Sequence, residues 1–119
     1  MVASVDMPEQ KKVKGRYRDG YRVGKAIVGI GGAIKGFGGL LALVIVVGAL
    51  IASSQVGGDT GLAIMIVAIG FAAFAGLLLF VLGTLIAAEG QILKATLDTA
   101  VNSSPFITDL DRAEIMSLK

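Results

Sequence analysis

The residues able to do chemistry are few and fall into three groups. A basic run lies in residues 11–25, with Lys11, Lys12, Lys14, Arg16, Arg18, Arg22 and Lys25 around Tyr17 and Tyr21. Such a run suits the phosphates of anionic lipid, each basic residue near the surface adding on the order of 1 kcal/mol. It matches no nucleic-acid-binding module, so no nucleic acid partner is expected. Lys35 stands alone inside an apolar stretch. A charge there is a candidate for binding or proton relay, but its long stem can also carry the ammonium to the nearer interface. Asp109, Asp111 and Glu114 form the third group. Carboxylates so placed complement the positive end of a short helix and lack the fixed oxygen cage of a cation site. No metal site and no cofactor is expected. The chain has no His and no Cys, which removes the commonest general base, the thiol nucleophile and any disulfide. With no convergent acid, base and nucleophile, an enzyme is not expected.

The elements that position these groups are two long apolar runs, residues 26–52 and 61–88, joined by the polar connection 53–60. Each exceeds the roughly 20 residues that span a bilayer, and a lipid-embedded backbone must close its hydrogen bonds within helices. The expected fold is all-α and membrane-embedded: a two-span transmembrane hairpin with a basic N-terminal juxtamembrane arm. The expected segments are the arm at 1–25, unstructured over 1–10, then span 1 at 26–52, an external turn at 53–60, span 2 at 61–88 and a tail at 89–119. A cleavable signal core holds about 7–15 residues. The first run is longer, so it is expected to persist as a span despite small residues at Ala52, Ser53 and Ser54.

Charge sets the orientation. Residues 1–35 carry eight basic residues against three acids, and the connection 53–60 carries Asp59 alone. Short flanks rich in Lys and Arg stay in the cytoplasm, so both termini are expected inside, at the plasma membrane of a bacterium or archaeon. Arg16, Arg18, Arg22, Lys25 and Lys35 are the expected lipid-headgroup contacts. Paired about the connection, the helices would bring Lys35 level with about Leu79. At 27 and 28 residues each span measures about 40 Å, longer than a bilayer core of about 30 Å. The excess favours tilt or association.

Small residues mark the contact faces. Gly29, Gly32, Gly36 and Gly39 are spaced 3, 4, 3 and share one stripe, with Gly31 and Gly38 on its neighbour. Ala68, Ala72, Gly76, Gly83 and Ala87 form the stripe of the second span, and Phe71, Phe74 and Phe80 lie off it. Such faces let helix backbones approach closely in a bilayer. They serve either the hairpin itself or a copy of the same protein.

Beyond residue 88 the pattern turns amphipathic. Ile92, Leu93, Leu97, Ala100 and Val101 lie on one face, and Gln91, Lys94, Asp98 and Asn102 on the other. This helix either lies in the interface or packs on neighbours. Pro105 ends it, and Thr108–Asp111 resembles a capping box opening a last short helix.

In topology, though not in motif, the chain resembles three classes of small hairpin. The rotor ring of ATP synthases has a glycine-rich first helix but needs a mid-span carboxylate, which 61–88 lacks. Conjugative pilins are two apolar helices packed into a filament, usually with a cleaved leader and a charged connection. Phage holins are oligomeric pore formers with a charged C-terminus, whereas the basic charge here is N-terminal. The expected function is a small non-enzymatic membrane protein that self-associates or serves as accessory subunit of a membrane complex through its Gly/Ala faces. The alternatives are a pilin-like subunit of a helical extracellular filament and a holin-like pore-forming oligomer. The expected partners are membrane lipids, anionic ones included, and copies of the same chain or a larger membrane complex.

Overall fold

The computed structural model describes residues 7–117, and these are almost wholly helical, with no strand among them. Helix α1 runs Met7–Val56 and α2 runs Gly58–Ser103. A short α3, Asp109–Met116, follows. By length and composition α1 and α2 are each sufficient to cross a membrane.

The reversal between α1 and α2 is tighter than the polar connection 53–60 suggests. Gly57 and Gly58 adopt φ of +69° and +60°, a left-handed conformation that costs glycine nothing. Gly57 N–H donates to the Ser53 carbonyl at 2.9 Å, and Gly61 N–H donates to the Gly57 carbonyl at 3.1 Å. The chain therefore turns in place, and residues 53–56 and 59–60 remain helical. The Ser53 and Ser54 hydroxyls donate to the carbonyls of Leu50 and Ile51.

Helix also extends where none was expected. Residues 7–10, expected to be unstructured, open α1, while residues 1–6 lie outside the described range. The amphipathic stretch 89–103 is no separate element but the continuation of α2. It ends where expected, just before the Ser104–Pro105 step.

The chain divides into two compact units. One is Ile30–Leu85, the middle of the hairpin. The other joins Met1–Gly29 with Ile86–Lys119, and its described core is Tyr21, Val101, Ile107 and Ile115, with Val13, Tyr17, Leu97 and Met116 packed around it. Tyr17 and Tyr21, one helical turn apart, share the inward face.

Candidate assembly surfaces

In the unit Ile30–Leu85, α1 turns Gly31, Lys35, Gly38, Ala42, Ile45 and Ala49 inward, each buried or half-buried. Their alternating spacing of four and three is the seven-residue repeat of a coiled coil. The approach is close because glycines stand at the crossings. A Cβ at Gly83 would lie 2.5 Å from the Gly31 carbonyl oxygen and 2.6 Å from Lys35 Cγ. One at Gly38 would lie 2.8 Å from Leu79 Cβ, and one at Gly61 2.8 Å from the Ser53 carbonyl oxygen. Ala72 is buried here, and Ala68 and Gly76 are half-buried. Lys35 therefore lies against Gly83 rather than level with Leu79, about one turn along α2. Its Nζ sits 5.8 Å from the centroid of the Phe80 ring, a cation–π contact.

The first-span stripe lies elsewhere. Gly32, Gly36 and Gly39 are exposed, and a Cβ on any of them would meet nothing within 4 Å. The same holds for Gly29 in the other unit. The seam follows the phase of Gly31 and Gly38 because small residues continue along it to Ala42, Ala49 and Ala52. The phase of Gly32, Gly36 and Gly39 runs into Leu43, Val46 and Leu50.

The second unit is built by different means. A Cβ at Gly90 would lie 2.7 Å from the Gly24 carbonyl oxygen and from Val28 Cγ2, so the close approach persists there; Ala87 is half-buried. Beyond it large side chains take over. Tyr21 is fully buried and its hydroxyl donates to Asp98. Burial, then the Asp98 carboxylate, raises the phenol well above its ordinary value. The sequence pattern puts Asp98 on the polar face of the helix; its bond from Tyr21 explains why it turns inward.

Residues 104–116 pack back on α1. Arg112 Nε donates to the Val101 carbonyl at 3.1 Å and Nη2 to the Ser104 carbonyl at 2.7 Å, tying α3 to the C-terminal end of α2 and to the residue just beyond it. The Thr108 hydroxyl accepts from Asp111 N–H at 3.2 Å and donates to Asp111 Oδ2 at 2.9 Å, the cap expected from the sequence. Lys14 Nζ reaches Asp111 at 3.0 Å and Glu114 at 2.6 Å, and Arg18 reaches Glu114 at 3.2 Å. Glu114 and then Asp111 raise the Lys14 ammonium above its ordinary value. Lys14 and then the Thr108 hydroxyl hold Asp111 below the usual carboxylate range.

The sequence alone does not reveal these ion pairs. The signal is the excess of bases before the first apolar run and of five acids over three bases after residue 88, but neither count says that the two ends meet. Of the five expected headgroup contacts, Arg18 is engaged with Glu114 and Lys35 is half-buried in the seam. Arg16, Arg22 and Lys25 are exposed. Asp109 pairs with Arg112 at 2.7 Å, so each acid of the group Asp109, Asp111 and Glu114 has a protein cation as partner.

No known family, curated protein or solved structure matches this chain.

Proposed function

We propose that this chain is a non-enzymatic membrane subunit that crosses the bilayer as a helical hairpin and self-associates through the open face of Gly32, Gly36 and Gly39. One observation carries the reading. The hairpin closes on a different set of glycines, so these three are left bare on the outside of α1. Each costs the helix about 1 kcal/mol relative to alanine, and in a bilayer that cost is offset where another backbone can approach. Phe71, Phe74 and Phe80 are 62%, 68% and 56% exposed, as expected of side chains that face lipid or a neighbouring helix. The basic flank supports a cytoplasmic side for both termini, with Arg22 and Lys25 at the headgroups and Lys35 reaching toward the same interface.

The test is particle mass and symmetry of the detergent-purified protein, with Gly36→Leu as the variant. A defined oligomer that falls to smaller particles in Gly36→Leu supports the reading. Unchanged mass in the variant removes this face from the contact. A ring or fibre from the native chain would extend self-association to the pore or filament class. A single-chain particle that co-purifies with another protein would make it an accessory subunit.

A further inference from the structure

We infer that a groove beside α1 in the unit Met1–Gly29/Ile86–Lys119 receives the projecting α3 edge of a second copy of this chain. This contact rests on the self-association just proposed and names where the copies meet outside the bilayer. The groove, about 410 Å³, is lined by Val13, Arg16, Tyr17, Leu97, Ser104 and Phe106. A cleft of about 220 Å³ shares Val13, Arg16 and Phe106 with it and adds Glu9 and Lys12. Half of the combined lining is aromatic or aliphatic, Val13, Tyr17, Leu97 and Phe106, while Lys12 and Arg16, one helical turn apart, supply two cations against the single carboxylate of Glu9. Lys14, Arg18 and Arg112 are all ion-paired; among the described residues neither Lys12 nor Arg16 is. This chemistry fits an apolar side chain with a carboxylate beside it.

Bilayer lipid is a poor occupant. Arg16 precedes the start of the apolar run, Ala26, by ten positions, about 15 Å along a helix. The headgroup layer is only about 5–8 Å deep on each side. Helical side chains also lean toward the N-terminus, which here is away from the membrane.

The chain itself carries the complement. Leu110 is 85% exposed, more than any other large hydrophobic residue among those described. Beside it the Asp109 side chain is 98% exposed, with its Oδ1 on Arg112 and its second oxygen free to accept. Neither residue lines the groove, so each chain presents a knob in one place and a hole in another. Copies inserted the same way in one bilayer hold equivalent residues at equal depth. Phe106 in the groove wall and Leu110 are only four residues apart, so knob and hole lie at compatible levels. Groove to knob is a heterologous contact, the kind that propagates into a ring or an open filament.

Crosslinking in native membranes tests this, because the sequence contains no cysteine. Glu9→Cys at the groove rim and Ala113→Cys on α3 both replace exposed residues and leave Lys12, Arg16, Asp109 and Leu110 in place. When the two variants are co-expressed and treated with a short bismaleimide, a 9–113 dimer is expected. The double variant should give a ladder, and neither single variant a dimer. Adding Leu110→Ser, at a position too exposed to matter for folding, should lower the adduct about tenfold, as loss of a buried leucine implies. An adduct insensitive to Leu110→Ser, or Ala113→Cys crosslinking to itself, overturns the contact. No adduct while native particles exceed one chain overturns the groove but leaves self-association standing. No adduct with single-chain particles overturns both.

Discussion

The two units of this protein hold helices together by opposite means. Between Ile30 and Leu85 the seam is made of absences. Gly31, Gly38, Gly61 and Gly83 lack the side chains that would separate the helices, and contact is backbone against backbone. In the other unit the core is bulk, with Tyr21, Val101, Ile107 and Ile115 buried and a ring of caps and ion pairs around them. The difference is the one that the proposed membrane crossing of Ile30–Leu85 would require. Apolar side chains gain nothing by leaving lipid for one another, so close packing is what remains to join helices there. In water, burial of large apolar surface is the dominant driving force.

The comparison can be broken most severely at its bulky end. Tyr21→Ala should cost about 3–5 kcal/mol, the range for emptying a buried aromatic site. Amide exchange should then rise in residues 104–117 and in the start of α1, while Ile30–Leu85 stays protected. Uniform loss of protection would show that the units are not energetically separate.

At the other end the sensitive position is a glycine. Gly83→Ala places a methyl 2.5 Å from the Gly31 carbonyl oxygen and should cost about 1–3 kcal/mol in overpacking. Gly36→Ala fills open space and should leave the hairpin as stable or up to about 1 kcal/mol more so. Thermal unfolding in detergent, read for both variants, checks the contrast. Equal effects would mean that the seam does not lie where these contacts put it.

A smaller change, Thr108→Ala, removes the α3 cap and should cost about 1 kcal/mol, seen as faster exchange confined to α3. The pH response should be the mildest effect near neutrality. Asp111 is held below its ordinary 3.8, so its contribution is present above that value and is lost as pH falls through the lowered one. Lys14 and Tyr21 are raised above 10.5 and 10.0. Their contributions are present below those values and are lost as pH rises toward the raised ones. Docking of residues 104–117, followed by a fluorophore on α3, should therefore be flat between about pH 4 and 10 and weaken outside that window. A transition near neutrality would contradict these assignments.

Much of the architecture is legible in the residues alone. The apolar runs 26–52 and 61–88 point to long helices, because two strands alone would leave open edges whose hydrogen bonds hydrocarbon cannot satisfy. Gly57–Gly58 places the reversal, Thr108 announces the last helix, and the spacing of Tyr17 and Tyr21 puts both rings on one face. These features are local: propensity, capping and turn chemistry act within a few residues of the chain.

What tertiary structure decided is which of two neighbouring glycine phases closes the hairpin. Gly32, Gly36 and Gly39 match a packing motif as well as Gly31 and Gly38 do. The choice depends on what continues each phase, small residues to Ala49 in one case and Leu43, Val46 and Leu50 in the other, and on what α2 presents opposite. Likewise, Lys14 and Arg18 read as one flank and Asp111 and Glu114 as another until the fold brings them together across about a hundred residues of sequence. Local pattern fixes the type of each element, but pairing between distant elements depends on the two surfaces at once, and a single periodicity describes only one of them.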